Sequence, residues 1–91
     1  KSAVMQPLVR SATECILSAV AADPRIRTAV EAADVRDLIV ASMPPCADSM
    51  RAMIDAHDRL YGEGSGEAFF MGPYLDILPV TVIKSVRNTT Q

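Results

Sequence analysis

The sequence predicts a small all-α domain, a bundle of four to six short helices over residues 1–91 with one inter-helix disulfide between Cys15 and Cys46. Three observations lead there. Apolar residues recur at intervals of three and four along most of the chain, the period of a helix with one buried face. The breaks between those stretches are proline and glycine corners, at Asp23-Pro24, Pro44-Pro45 and Gly62 to Gly66. Only one segment, Pro79 to Val86, is rich in β-branched residues, and a strand there would have no partner for its ladder groups.

The first helix is marked by Met5, Leu8, Val9, Ala12, Cys15, Ile16, Ala19 and Val20, with Pro7 expected in its first turn or at its start. Asp23 followed by Pro24 is an N-cap and first-turn pair, opening a short helix through Ile26 and Val30 that fades near Ala33. Asp34 is placed to cap the next helix, whose buried positions are Val35, Leu38, Ile39 and Met43 before the double proline. Cys46, Met50, Met53, Ile54, His57, Leu60 and Tyr61 then form one face of a fourth helix, while Arg51, Asp55 and Arg59 form an i,i+4 ion-pair ladder on the other. Three glycines within residues 62–66 predict a flexible loop. A short helix from Glu67 to Met71 should end at Gly72, with Pro73 redirecting the chain. Residues 79–86 are taken as helix because Pro79 suits a helix start and no second β-rich run exists. Residues 88–91 are expected to fray.

Ninety-one residues support a single core, and 49% hydrophobic with 22% charged residues excludes a disordered or fibrous chain. A net charge of -2, with basic residues scattered, leaves no stripe for neutralising phosphates, so nucleic acid is not an expected partner. Uninterrupted apolar runs fall far short of the ~20 residues of a bilayer-spanning helix, so no transmembrane segment is expected. Seven arginines against two lysines suggest a GC-rich bacterial genome.

Cys15 lies on the apolar stripe of the first helix and Cys46 follows the Pro-Pro corner, where a helix-to-helix bridge is feasible. Closing that loop of about 32 residues stabilises by roughly 3.7 kcal/mol in the chain-entropy model. A disulfide implies an oxidising compartment, periplasmic or secreted. The alternative is two reduced cysteines serving as small apolar side chains. Their spacing fits no zinc motif, and no metal site is expected.

His57 is the one histidine, with Asp58 beside it and Tyr61 one turn on. The run His57-Asp58-Arg59-Leu60-Tyr61-Gly62 resembles the His-Asp-x-Cys-Tyr helix motif of secreted phospholipases A2. That resemblance implies His57 as general base and Asp58 as a calcium ligand. Leu60 stands where the family has cysteine, and no glycine-rich calcium loop precedes the helix. A haem or lipid pocket centred on His57, or on a tyrosine as axial ligand, is a further alternative. No complete catalytic set is apparent, since Ser and Thr have no His-acid pair near them in sequence. No cofactor is expected.

Tyr61, Phe69, Phe70 and Tyr74 are all the aromatics and lie within fourteen residues around the glycine loop. Adjacent phenylalanines on a helix point about 100° apart, so one of Phe69 and Phe70 is expected at the surface. With His57, Asp58 and Ser65 these aromatics make up the candidate binding site. The expected function is a small exported, non-enzymatic interaction module such as an inhibitor, immunity-type protein or accessory subunit. A protein partner is expected, and a homodimer is compatible with the composition. Cys15-Ile16, Asp23-Pro24 and the helical remainder also resemble the periplasmic amidase-immunity proteins of bacterial toxin-delivery systems. That resemblance implies a cell-wall amidase blocked by residues 62–66.

Overall fold

The computed structural model describes residues 2–29 and 31–90, with side chains as far as 87. The helices are α1 (Ser2–Ala22), α2 (Ala32–Ala41), α3 (Ala47–Tyr61), α4 (Ser65–Phe69) and α5 (Leu75–Thr90). Two 3-10 turns lie at Pro24–Arg27 and Pro44–Cys46, and a π-helical turn at Phe70–Tyr74 joins α4 to α5 without a break. The fold is all-α, with no strand among the described residues. Residues 79–86 are helical as expected, and α5 continues to Thr90.

Cys15 and Cys46 are joined, with sulfurs 2.08 Å and α-carbons 5.8 Å apart. The bond ties the middle of α1 to the start of α3. Ile16, Ile39, Met53, Leu78 and Val82 lie fully buried around it, one or two from each long helix, and this is the core. α3 runs antiparallel to α1, bringing His57 and Tyr61 beside Met5 and Val9. The α4–α5 rod then turns back parallel to α1, so that Phe69 meets Val9 and Val82 meets Val20. Three rods side by side give the molecule its extents of 39 × 22 × 20 Å.

Several local expectations are corrected. α1 starts at Ser2, placing Pro7 in its second turn. Met5 is buried and draws the leading turn onto the core, while Ala3, whose carbonyl Pro7 leaves unbonded, is exposed to water. The expected helix after Asp23 is a single 3-10 turn. The Asp23 carboxylate accepts the Arg25 N–H at 2.9 Å, and the Arg25 carbonyl accepts the Thr28 N–H at 3.1 Å, closing the turn three residues on. Val30 lies outside the described residues. The Arg25 guanidinium, bonded to Asp23 at 2.7 Å, holds that carboxyl below its ordinary value. α2 is capped by Glu31, whose backbone is extended, and Asp34 sits at the third helical position accepting the Glu31 N–H at 3.3 Å. On α3, Arg51 pairs with Asp48 at 3.2 Å, not with Asp55.

The largest correction concerns Gly72, which does not end a helix. The chain passes through Gly72 and Pro73 in the π-helical turn, whose wider ring relieves the clash between a proline ring and the carbonyl four residues back. One extra residue is absorbed there, and Phe70 and Tyr74 both stay buried. The result is an unbroken helix, Ser65–Arg87, long and apolar enough by composition to cross a membrane. The expectation of no transmembrane segment rested on the shortness of uninterrupted apolar runs, which Asp76, Lys84 and other polar residues break within this helix. Within it Phe70, Tyr74, Leu75, Leu78 and Val82 are buried and Phe69, Ile83 and Val86 pack against the core, while Met71, Ile77 and Val80 are exposed.

Candidate functional site

The candidate site begins where α3 hands over to α4. Gly62 and Gly64 hold positive φ of 116° and 87°, which lets three residues reverse the chain. The reversal lays Gly66 directly on the α3 backbone, and a Cβ there would collide with the Ile54 carbonyl. Asp58 Oδ1 accepts the Gly66 N–H at 2.7 Å. The loop expected to be five flexible residues is therefore a turn of three, with Ser65 and Gly66 already helical and tied to α3.

Ser65 Oγ lies 2.8 Å from His57 Nδ1 and 3.2 Å from the His57 carbonyl. The carbonyl can only accept, so both contacts are satisfied when Ser65 O–H donates to it and Nδ1–H donates to Ser65 Oγ. That assignment leaves Nε2 as the lone-pair nitrogen. The imidazole sits between two rings, Tyr61 at 4.5 Å and Phe69 at 4.9 Å between centroids. Phe69 in turn contacts Tyr74 at 5.8 Å, and Phe70 contacts Tyr74 at 5.7 Å.

All seven candidate binding residues thus converge, but in two layers. Phe70 and Tyr74 are buried, whereas His57, Asp58, Ser65 and Phe69 are half-buried and Tyr61 is about half exposed. The Tyr74 hydroxyl bonds Thr13 Oγ1 at 2.9 Å, and Thr13 donates to the Val9 carbonyl at 2.6 Å, so Tyr74 is the donor of the pair. Burial pushes the Tyr74 phenol up from its ordinary value.

Two surface clefts meet at this cluster. One, of about 330 Å³, is bounded by Met5, Gln6, Val9, His57, Tyr61 and Phe69. Its neighbour, of about 320 Å³, shares Val9 and Phe69 and continues past Pro73 and Ile77 to Thr81. Among the described residues no Asp, Glu, Lys or Arg lines either cleft. The α1 residues Met5, Gln6, Val9 and Thr13 are the part of the site that sequence reasoning missed. Met5 and Val9 lie on the amphipathic stripe, which does not say which of its members edge an opening, and Gln6 and Thr13 lie off it and carry no signal.

The Asp58 carboxylate is engaged with a backbone amide and not with the imidazole, so nothing acidic orients or polarises His57. In the phospholipase resemblance that carboxylate would bind calcium, whereas here it fixes the start of α4. Among the described residues no three His, Cys, Asp or Glu side chains gather as a metal site. The class that fold and site define is a disulfide-stapled helical domain with an uncharged aromatic groove. The chain matches no protein-family model, no curated protein and no solved structure.

Proposed function

We propose that this protein is a small exported, non-enzymatic interaction module that seats an apolar segment of a partner protein in the groove around Phe69. The observation that carries this reading is the pair of adjoining clefts walled by aromatics and, among the described residues, lined by no Asp, Glu, Lys or Arg, in a chain with 22% charged residues. Depletion of charge and enrichment of rings are the compositional signs of an interface core. His57 Nε2, Gln6 and the exposed Tyr61 supply a polar edge beside the apolar floor, enough to orient a bound segment. The Cys15–Cys46 disulfide supports a periplasmic or secreted location, where such a bond persists. Ser65 and Gly66, which end the three-residue turn, are bonded to α3, and this favours the groove over a mobile blocking loop as the contact surface.

The test places a photo-crosslinking residue at Gln6, on the rim of the groove, and at Arg51, on the outward face of α3, in the native host. The adduct expected only from position 6 is identified, and the purified pair is titrated. Phe69→Ala should weaken binding at least about tenfold, as for a ring at the centre of an interface, with the thermal transition of the free protein retained. Equal adducts from both positions, or binding indifferent to Phe69→Ala, would overturn the reading.

A further inference from the structure

On α5, Asp76, Val80 and Lys84 are spaced by four residues and form one row on the outer side of the helix, with Ile77 beside it. Val80 is 48% and Ile77 56% exposed, and the Asp76 side chain is 70% exposed. Asp76 approaches Arg36 of α2 only at 4.0 Å, the outer limit of an ion pair. Ile77 also borders the cleft that runs from Phe69 to Thr81, whereas Val80 and Lys84 line neither cleft and are exposed among the described residues. The order of charges along the row says what fits there. An acid lies one turn before Val80 and a base one turn after it, so the row read backwards is its own complement.

We infer that α5 pairs with α5 of a second copy of this chain, antiparallel and about a two-fold axis through Val80. Asp76 of each copy then lies beside Lys84 of the other, twice by symmetry, and Val80 meets Val80 between them. A parallel pairing would set Asp76 against Asp76 and Lys84 against Lys84. The geometry therefore selects the closed two-fold dimer over a parallel or open assembly. The exposed Val80, which lines neither cleft, acquires a partner in this way.

The full oxidised chain is followed by sedimentation velocity from about 1 µM to about 1 mM, as wild type, Asp76→Lys, Lys84→Asp and the double exchange. Wild type should pass from monomer to dimer across the series. Each single reversal places like charges together and should weaken the dimer at least about tenfold, and the double exchange should return it to within about threefold of wild type. Because Val80 sits on the axis, Val80→Cys should form a disulfide-linked dimer under mild oxidation faster than Val40→Cys, a similarly exposed control on α2. A wild-type chain monomeric throughout, a dimer indifferent to both single reversals, a double exchange no better than either single, or equal cross-linking at 80 and 40 would each overturn the inference. Binding of the α5 face to lipid vesicles by a chain that stays monomeric would overturn it equally. A failure at Gln6 leaves this proposal standing, and a failure at Lys84 leaves the groove standing.

Discussion

Tyr74 shows how one polar atom in an apolar wall becomes a measurable property of the whole chain. Its ring is buried, and its hydroxyl donates to Thr13 Oγ1 at 2.9 Å across the seam between α1 and the α4–α5 rod. Burial disfavours the phenolate, so the folded-state pKa lies above the ordinary value of about 10. Below that value both folded and unfolded chains hold the proton, and the neutral hydrogen-bonded phenol contributes its full stability. As pH rises beyond about 10 the unfolded chain releases the proton first, and stability falls progressively until the folded-state value is passed. Urea melts between neutral pH and about pH 11 should therefore show a loss above about 10 that is absent in Tyr74→Phe, whose own cost near neutrality is about 1 kcal/mol from the unpaired Thr13 contact. The same loss in both proteins would assign the alkaline effect to another group.

At the scale of elements, glycine has opposite meanings six residues apart. Gly66 touches the α3 backbone, where a Cβ would meet the Ile54 carbonyl, whereas the corresponding position on Gly72 meets nothing within 4 Å. Gly66→Ala should cost about 1–3 kcal/mol by forcing α4 off α3. Gly72→Ala should stabilise by about 0.5–1 kcal/mol, because alanine loses less backbone entropy in a helical position with room for it. Thermal melts of the two variants test both signs. If Gly72→Ala destabilised, Gly72 would be the helix terminator that the local sequence suggests. The apolar period fixed the existence of α1, α2 and α3, because burial of a stripe is the same signal in sequence and in space. Gly72-Pro73 was misread because the local rule for a helix end is indifferent to Leu75, Leu78 and Val82, which need the rod to continue toward the core. The seven site residues were legible as a cluster of aromatics beside the one histidine. The bond between Ser65 and His57 was not, since it exists only after two positive-φ glycines fold the chain back over α3.

At the scale of the molecule, the disulfide adds to stability by restricting the unfolded chain. It joins residues 31 apart, and the loop it closes contains the Pro24–Arg27 turn, all of α2 and the Pro44–Cys46 turn. In the chain-entropy model such a closure is worth roughly 3.7 kcal/mol, against a total stability of about 5–14 kcal/mol for a chain of this length. The effect lies mainly in the unfolded state, which the bond keeps compact, and it leaves the contacts of Ile16, Ile39 and Met53 in place. Reduction should accordingly leave the far-UV circular dichroism of the folded protein almost unchanged while lowering the urea midpoint and steepening the transition, because the reduced unfolded chain exposes more surface. The unfolded population should rise by a few hundredfold, the equivalent of that free energy at about 1.4 kcal/mol per factor of ten. Paired urea melts with and without reductant, repeated on the Cys15→Ala, Cys46→Ala double variant, measure each quantity. Loss of helicity in the absence of urea would mean that Cys46, almost wholly buried where α1 meets α3, holds the core by contact and not by restricting the unfolded chain.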